Sequence, residues 1–185
     1  MDEPDHLEEH LDRVLIGGRE PRHVVLVEYD ETWPWRFEEQ RRRIVAALGP
    51  VARQIEHIGS TAVPGLAAKP IVDVLVTVDD VDAEETYRPP LEAAGYVLRV
   101  REPGHRMFRT RAKDVHVHVW ATGSEAARRD LAFRDRLRRD ADDRALYESA
   151  KRALAGRDWK DVNYYAEAKG PVIEEILERA QAREM

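Results

Sequence analysis

The sequence predicts an α+β protein in which a mixed or antiparallel sheet comes first and a helical segment follows. Short runs rich in β-branched residues fill the middle of the chain, between residues 51 and 120. After residue 123 the apolar residues recur at helical spacing instead. The length of 185 residues suits one domain with a helical extension. We therefore expect a core over residues 22–123 and packed helices over residues 124–185.

The first part of the chain is acidic and ends in glycine and proline, which predicts a flexible leader over residues 1–21 with one weak helix around residues 6–16. Residues 23–28 are rich in valine and predict a strand or extended segment. Thr32 followed by Trp33-Pro34 is typical of a helix start, and Gly49-Pro50 of a helix end. A helix is therefore expected between them.

The central segment alternates between strand patterns and turn signals. We predict strands over residues 51–58, 71–78, 96–101, 106–111 and 115–120, with a short helix within 59–68. The helical composition of residues 81–94 must break or restart at Pro89-Pro90. Pro103-Gly104 predicts a hairpin. Beyond it, Ser124 can cap a first helix, Gly156 ends a second, and Gly170-Pro171 kinks or splits a last stretch over residues 160–182.

Composition excludes several classes of protein. The absence of cysteine excludes disulfides, thiolate zinc sites and cysteine nucleophiles. A net charge of −6 argues against a global field for nucleic acid, which stays a disfavoured partner that only a local patch could bind. The sequence contains no run of about 18 apolar residues, so it predicts no membrane span. The acidic first residues do not resemble a secretion signal. The expected location is the cytoplasm, and the oligomeric state is left open.

The most informative stretch is Glu56–Val76. A predicted strand ends at Gly59-Ser60, the chain turns into a short helix, and it returns as a strand that contains Asp73 among valines. A glycine at such a turn lets backbone N–H groups approach a phosphate. Because an unpaired buried carboxylate is costly, Asp73 needs a partner, and a metal ion is one.

This stretch resembles the GrpB-like family, which is related to the nucleotidyltransferases of polymerase-β type. The resemblance is close over His57–Asp73 and covers roughly residues 23–180. It extends to four shorter segments, at residues 29–33, 116–118, 133–137 and 164–169. It implies a nucleotidyltransferase-like fold with a mixed or antiparallel sheet, flanked by helices, and a helical C-terminal segment. In the wider superfamily a Gly-Ser pair precedes an Asp-x-Asp on the next strand, and Gly59, Ser60 and Asp73 fit that order.

The chain departs from that superfamily at the metal ligands. Active nucleotidyltransferases hold two magnesium ions between two carboxylates of one strand and a third on a later strand. Here Val74 and Leu75 follow Asp73, and the later strand offers His116 and His118. Magnesium prefers oxygen ligands, whereas imidazole suits zinc, manganese, nickel or iron. The candidate catalytic and metal-binding residues are therefore Asp73, His116 and His118, with magnesium, manganese or a histidine-preferring ion such as zinc as the expected cofactor.

His116 and His118 lie on one face of their strand, because side chains alternate with period 2. They could chelate a metal together with Asp73, and Glu56 and His57 could join them. The alternative is that these histidines form hydrogen bonds on a solvated sheet face.

Basic residues supply a second candidate site. Arg99 and Arg101 share one face of a predicted hairpin strand, and Arg109 and Arg111 share a face of the next. If the register aligns these faces, four guanidinium groups would meet an anionic ligand such as a triphosphate. The alternative is a solvated charged face. Lys69, near Asp73, could reach a phosphate or solvate a turn.

The resemblance and the residues together predict a divergent nucleotidyltransferase-like protein. Its ligand would be a nucleoside triphosphate or another small phosphate compound, from which it would transfer a nucleotidyl group to an unknown acceptor. One alternative is a binding module without transfer, since similar chains occur joined to dephospho-CoA kinase. Another is a hydrolase that uses a metal at Asp73, His116 and His118.

Overall fold

A computed structural model describes residues 6–20 and 23–182. Seven α-helices are found in this part of the chain: α1 (His6–Val14), α2 (Trp33–Leu48), α3 (Arg88–Ala93), α4 (Glu125–Arg139), α5 (Ala141–Ala155), α6 (Val162–Ala168) and α7 (Gly170–Ala182). Five strands form the sheet: β1 (Gln54–Ile58), β2 (Val72–Val78), β3 (Tyr96–Glu102), β4 (His105–Thr110) and β5 (Val115–Ala121). Short 3₁₀ turns occupy Gly49–Val51, Ser60–Ala62 and Glu84–Thr86.

The sheet is mixed, with the strand order β1-β2-β5-β4-β3. Only β2 and β5 run parallel, and the other neighbours are antiparallel. The predicted α+β class, with helices around a mixed sheet and a helical segment after it, is confirmed. The parallel pair at the centre matters most for function, because it sets β2 and β5 side by side in matched register.

One face of the sheet packs on α2 and α3 and forms the main apolar core. The valines of β2 and β5 that point to this face are buried against aromatic and aliphatic side chains of the helices, including Trp33, Ile44 and Leu91. Alternation along the strands therefore sends Asp73, His116 and His118 to the opposite face. Burial of the valine face stabilises the strands that hold these polar residues, at roughly 25 cal/mol per Å² of apolar surface.

The opposite face is flanked by the C-terminal helices. Side-chain caps start three of them: Ser124 for α4, Asp140 for α5 and Asp161 for α6. A second apolar cluster joins these helices to the loop after β1, through Val63, Leu66, Leu137, Tyr147 and Ile176. The loop that begins at Gly59 is therefore held between the sheet and the helical segment.

The predicted elements of this region are present, with some shifted boundaries. Residues 23–28 are expected as a strand or extended segment, and they form a single bridge, between Val27 and Ala68. The strand expected from residue 51 begins at Gln54, because a 3₁₀ turn follows Gly49-Pro50. The restart expected at Pro89-Pro90 is present, because α3 begins at Arg88 and both prolines fall in its first turn, where their missing N–H groups cost little.

The helix expected around residues 6–16 is present as α1 (His6–Val14), but residues 6–20 pack on the sheet instead of forming a free leader. Leu11 and Val14 of α1 are buried, and Leu15 bridges Val100 of β3. The many acidic residues of this segment led to the prediction of a leader, although α1 has an apolar side that packs on the rest of the protein. Residues 1–5 and 21 lie outside the described part. Among the residues that are described, no helix combines the length and the apolar character needed to cross a bilayer.

Candidate functional site

Two neighbouring strands bring Asp73, His116 and His118 together. In the parallel register Asp73 is opposite His116, and Leu75 is opposite His118. Oδ1 of Asp73 lies 3.3 Å from Nε2 of His118 and 3.5 Å from Nδ1 of His116. One ligand atom from each of the three residues falls within 4.8 Å of the others. The convergence predicted for these three side chains is therefore present.

The turn after β1 closes on the same carboxylate. Gly59 adopts a φ of 72°, in the left-handed region that favours glycine, and it starts the 3₁₀ turn at Ser60. Thr61 holds this turn in place, because its hydroxyl donates to the carbonyl of Ile71 and contacts His57. The backbone of Gly59 consequently lies against the side chain of Asp73.

The charges around Asp73 keep it ionised. Burial by itself would raise the pKa of Asp73, but hydrogen bonds from His116 and His118 outweigh burial and hold the pKa well below its usual range. Asp73 in turn raises the pKa of His118 against the opposing effect of burial. Asp130 of α4 also borders the site, and burial raises its pKa. The centre thus combines one firmly ionised carboxylate with imidazoles that it attracts.

A chain of side chains extends from this centre across the sheet. Nδ1 of His118 lies 3.1 Å from Nε2 of His105, and Nδ1 of His105 lies 2.6 Å from Oε1 of Glu102. His105 is buried and stacks on Trp120, with ring centroids 4.0 Å apart. The centre is therefore connected to Glu102 by an unbroken series of polar contacts.

A cavity of about 520 Å³ opens above the three residues. Its lining includes Gly59, Ser60 and Asp73 on the sheet side and three lysines, Lys69, Lys151 and Lys169, on the other. The ammonium groups of Lys69 and Lys169 lie 5.5 Å and 4.9 Å from the centre of the Tyr165 ring. Burial lowers the pKa of Lys169, while the charge of Asp73 opposes that effect. The cavity thus has a carboxylate and imidazoles at its floor and ammonium groups on its wall.

Lys151 is the most buried of these cations, with 2% of its surface exposed. Its Nζ lies 3.1 Å from Oγ of Ser60 and also donates to the carbonyl of Ala67. In the described part of the chain no carboxylate forms an ion pair with it. Burial, followed by the like charge of Lys169, lowers the pKa of Lys151 to about 7. A buried ammonium beside a serine hydroxyl is an arrangement suited to an anion.

Aliphatic side chains make up much of the remaining wall of the cavity. Leu7, Leu11, Val14 and Leu15 of the N-terminal segment line it, together with Met107 and other aliphatic side chains. His10 of α1 also contacts Glu102, at 3.4 Å. A ligand of this cleft would meet cations on one side and hydrocarbon on the other.

The four hairpin arginines do not form one cluster. A register shift between Leu98 and Val100 places Arg99 in a bulge, so that the faces of the two strands do not align as the prediction required. Arg99 donates to the carbonyls of Ile16 and Gly18 instead. Arg111 lies exposed in the turn after β4.

Acidic side chains hold the other two hairpin arginines. Arg101 and Arg106 both bind Glu84, and Arg109 binds Glu20. These contacts lower the pKa of both glutamates to about 2. The anion that neighbouring arginines require is thus supplied by the protein itself.

Glu56 and His57 do not join the metal-ligand candidates. His57 stacks on Phe37 at 4.8 Å, on the side of the sheet covered by α2, and Glu56 binds Arg134 of α4. Sequence reasoning also missed Glu102, Lys151 and the apolar wall. No local sequence pattern indicates that these residues line the cavity, because each reaches it only through the packing of elements that are distant in the sequence.

The donor set does not fit the two magnesium ions that the superfamily resemblance implies. Val74 and Leu75 follow Asp73, and they are buried apolar residues. His118 stands where a later strand would offer an acid. Asp130 lies beyond the group of atoms that approach within 4.8 Å. One carboxylate and two imidazoles are a poor site for magnesium, which prefers oxygen ligands.

Residues 23–179 match the profile of the GrpB protein family. The chain belongs to the GrpB family. A UPF0157 protein of Streptomyces coelicolor is 55% identical over 91% of this chain and 90% of its own length. The crystal structure of conserved protein GrpB from Enterococcus faecalis covers 84% of this chain and 98% of that chain, with 30% identity and a TM-score of 0.73. The GrpB-like resemblance is thus confirmed.

Two further similarities concern proteins with more specific names. A dephospho-CoA kinase of Mycolicibacterium paratuberculosis is 30% identical over 85% of this chain, which spans 46% of that protein's length. A structure of the Cid1 poly(U) polymerase with bound MgGTP aligns with 81% of this chain and 46% of that chain, at 15% identity and a TM-score of 0.49.

Proposed function

We propose that this GrpB protein binds a nucleoside triphosphate, or a closely related phosphate compound, in the cleft above Asp73. The observation that supports this best is the position of Lys151, a buried ammonium 3.1 Å from Oγ of Ser60. Lys69 and Lys169 border the same cavity. Three cations beside a tight glycine-serine turn would stabilise a polyphosphate, because charge-assisted hydrogen bonds are strong in a partly buried site.

The proposed position of the ligand follows from the two walls of the cavity. The phosphates would lie at Ser60 and Lys151, next to the backbone N–H groups of the turn. The less polar part of the ligand would contact the apolar wall formed by Leu11, Val14 and Met107. Lys169 would lie close to the reacting phosphate, since it is within electrostatic reach of Asp73.

We further propose transfer of a nucleotidyl group from the triphosphate to an acceptor as the activity of this cleft: an acceptor oxygen would bond to the α-phosphorus, the bond from the α-phosphorus to the oxygen that bridges to the β-phosphate would break, and pyrophosphate would leave. In that reaction the chain's own groups would mainly position the phosphates and neutralise their charge. The competing proposal is a binding module without transfer. It is favoured by the single carboxylate at Asp73 and by the relative named as a dephospho-CoA kinase. A phosphate hydrolase is the third candidate, favoured by the imidazole-rich centre.

Binding is tested by calorimetry and thermal denaturation with the four nucleoside triphosphates, inorganic triphosphate, dephospho-CoA and coenzyme A. A ligand at 100 times its dissociation constant should add about 2.7 kcal/mol to the free energy of unfolding. Lys151→Met should abolish this effect, whereas Lys160→Met, at an exposed lysine, should retain it. Equal binding by wild type and Lys151→Met would contradict the proposed position of the phosphates.

Activity is tested with triphosphates labelled at the α-phosphate. Label that moves to an acceptor in a cell extract, and is lost in Asp73→Asn, supports transfer. Release of a labelled monophosphate without an acceptor supports hydrolysis. Saturable binding with neither product supports the binding module.

A further inference from the structure

The mismatch between the superfamily's magnesium ligands and this centre points to a different ion. Asp73 offers one carboxylate oxygen, and His116 and His118 offer ring nitrogens. Mixed nitrogen and oxygen ligands favour zinc and its first-row neighbours over magnesium. The three residues occupy adjacent strands of the sheet, so their backbone positions are fixed by the β2–β5 ladder rather than by a mobile loop.

The two distances from the carboxylate oxygen to the imidazole nitrogens are compatible with a tetrahedral ion, and all three ligand atoms lie within 4.8 Å of one another. Ligands about 2.1 Å from a tetrahedral centre lie about 3.4 Å from one another. Oδ1 of Asp73 is 3.3 Å from Nε2 of His118 and 3.5 Å from Nδ1 of His116. Three protein ligands leave the fourth position facing the cavity, as in zinc sites that act on a substrate.

The contacts behind His118 determine which of its nitrogens has a free lone pair. The carboxylate of Glu102 can only accept, so Nδ1 of His105 must donate to it over 2.6 Å. In a neutral ring Nε2 of His105 then accepts, and Nδ1 of His118 must donate to it over 3.1 Å. The lone pair of His118 is left on Nε2, which faces Asp73. Without a metal, a proton on Nε2 makes the hydrogen bond to Asp73, and a metal ion can take the place of that proton between the nitrogen and the carboxylate.

We propose that Asp73, His116 and His118 bind one nitrogen-preferring divalent cation of the zinc class, and that Glu102 acts through His105 as a positioning residue for His118. The inference deepens the proposed function, because it concerns the floor of the same cleft. It requires no nucleotide, so its test is separate from the test of ligand binding.

Outer partners of metal-bound histidines orient the ring, and their removal typically costs 10- to 100-fold in metal affinity. Glu102 and His105 fit that role. The hydrogen bond from His105 lowers the pKa of Glu102 and keeps its carboxylate an acceptor. The stacking of His105 on Trp120 fixes the plane of its ring.

The first experiment measures metal binding by the full chain after removal of metals with a chelator. Zn²⁺, Mn²⁺ and Mg²⁺ are titrated separately, with a chromophoric chelator as competitor. We expect one zinc ion per chain, bound much more tightly than magnesium, and its loss in Asp73→Asn and His116→Ala. Absence of zinc binding, two ions per chain, or a preference for magnesium would overturn the inference. None of these results would affect nucleotide binding measured without metal.

The second experiment tests the positioning residues. Glu102→Ala and His105→Phe should each weaken zinc binding by about 10- to 100-fold, and the double variant should be no weaker than either. His105→Phe keeps a ring for stacking on Trp120, and Glu102→Gln keeps an acceptor oxygen and should fall between wild type and Glu102→Ala. The matched control is Glu92→Gln, which removes a carboxylate paired with Arg88 on α3. Unchanged zinc affinity in folded Glu102→Ala and His105→Phe would refute the positioning role of His105 and Glu102.

A third readout identifies the coordinating nitrogens. Imidazole ¹⁵N NMR of the zinc-loaded protein should show His118 bound through Nε2 with its proton on Nδ1, and His116 bound through Nδ1. Coordination of His118 through Nδ1 would contradict the proposed direction of the hydrogen bonds from His118 to His105 and Glu102, because Nδ1 could not then donate to His105.

Discussion

A β-carbon placed on Gly59 would lie 2.6 Å from Oδ2 of Asp73. Real β-carbons do not approach other atoms so closely, so only glycine allows the turn after β1 and the carboxylate of β2 to share this space. The close approach joins the turn at Gly59, where we propose that phosphate binds, to the metal-ligand candidate Asp73. The two halves of the cleft therefore depend on each other.

Gly59→Ala should destabilise the protein by about 1–3 kcal/mol, because alanine is strained at a φ of 72°. It should also weaken zinc binding, since Asp73 must move away from the new methyl group. Gly65→Ala is the matched control. Gly65 has a φ of 78°, but a β-carbon placed on it would meet no other atom within 4 Å. Chemical denaturation and zinc titration of both variants separate backbone strain from the contact with Asp73. Equal effects of the two substitutions on zinc binding would contradict this explanation.

Arg99→Met should loosen the N-terminal segment. Arg99 is 6% exposed and donates to the carbonyls of Ile16 and Gly18. Methionine fills similar space but satisfies neither carbonyl. We expect faster amide hydrogen exchange across α1 and little change in the central strands. Arg101→Met, two residues along the same strand, is the control, because its partner is Glu84. Matching exchange rates in α1 for both variants would argue against Arg99 as the anchor.

Glu84→Gln should reduce the dependence of stability on acid pH. Hydrogen bonds from Arg101 and Arg106 lower the pKa of Glu84 to about 2 in the folded chain, from about 4.5. A depressed carboxyl pKa stabilises the folded state above pH 4.5, and that stabilisation is lost as the pH falls toward 2. Wild type should therefore exceed Glu84→Gln by roughly 1–3 kcal/mol at pH 7, and the gap should narrow below pH 4.5. Denaturation with urea at several pH values measures it, with Glu92→Gln as control.

The parts of the fold that sequence predicts well are those that local patterns dictate. The period-2 alternation of Val115–Trp120 sets His116 and His118 on one face whatever surrounds the strand. Ser124 and Gly170-Pro171 mark helix boundaries through backbone chemistry that needs no tertiary partner. The position of Asp73 beside these histidines depends on the pairing of β2 with β5, which no local pattern predicts.

The parts that sequence could not predict depend on register and on distant packing. A single bulge at Arg99 takes its side chain away from the face of the other hairpin arginines, and no spacing in the sequence predicts this bulge. Lys151 lies on α5, a helix rich in charged residues, and no spacing in the sequence distinguishes it from the exposed ones. Only the docking of α5 against the loop after β1 buries Lys151 beside Ser60. The residues of greatest functional interest are thus the ones that tertiary structure selects.

Lys151→Met should stabilise the ligand-free protein while it removes phosphate binding. Burial lowers the pKa of Lys151 to about 7, from about 10.5 in an unfolded chain. Between these values the unfolded state holds the proton that the folded state has lost, so stability rises with pH by up to about 1.4 kcal/mol per unit. Below pH 7 both states are protonated, and the full cost of the buried charge remains. The advantage of Lys151→Met over wild type should therefore be largest near pH 6 and shrink toward pH 10, as measured by denaturation without ligand. Lys160→Met, which removes an exposed ion pair with Glu8, should differ from wild type by a constant amount between pH 6 and pH 10. Because a phosphate interacts with the charged form, nucleotide affinity of the wild type should fall as the pH rises above 7. A nucleotide affinity that does not change with pH would show that Lys151 does not contact the bound phosphate.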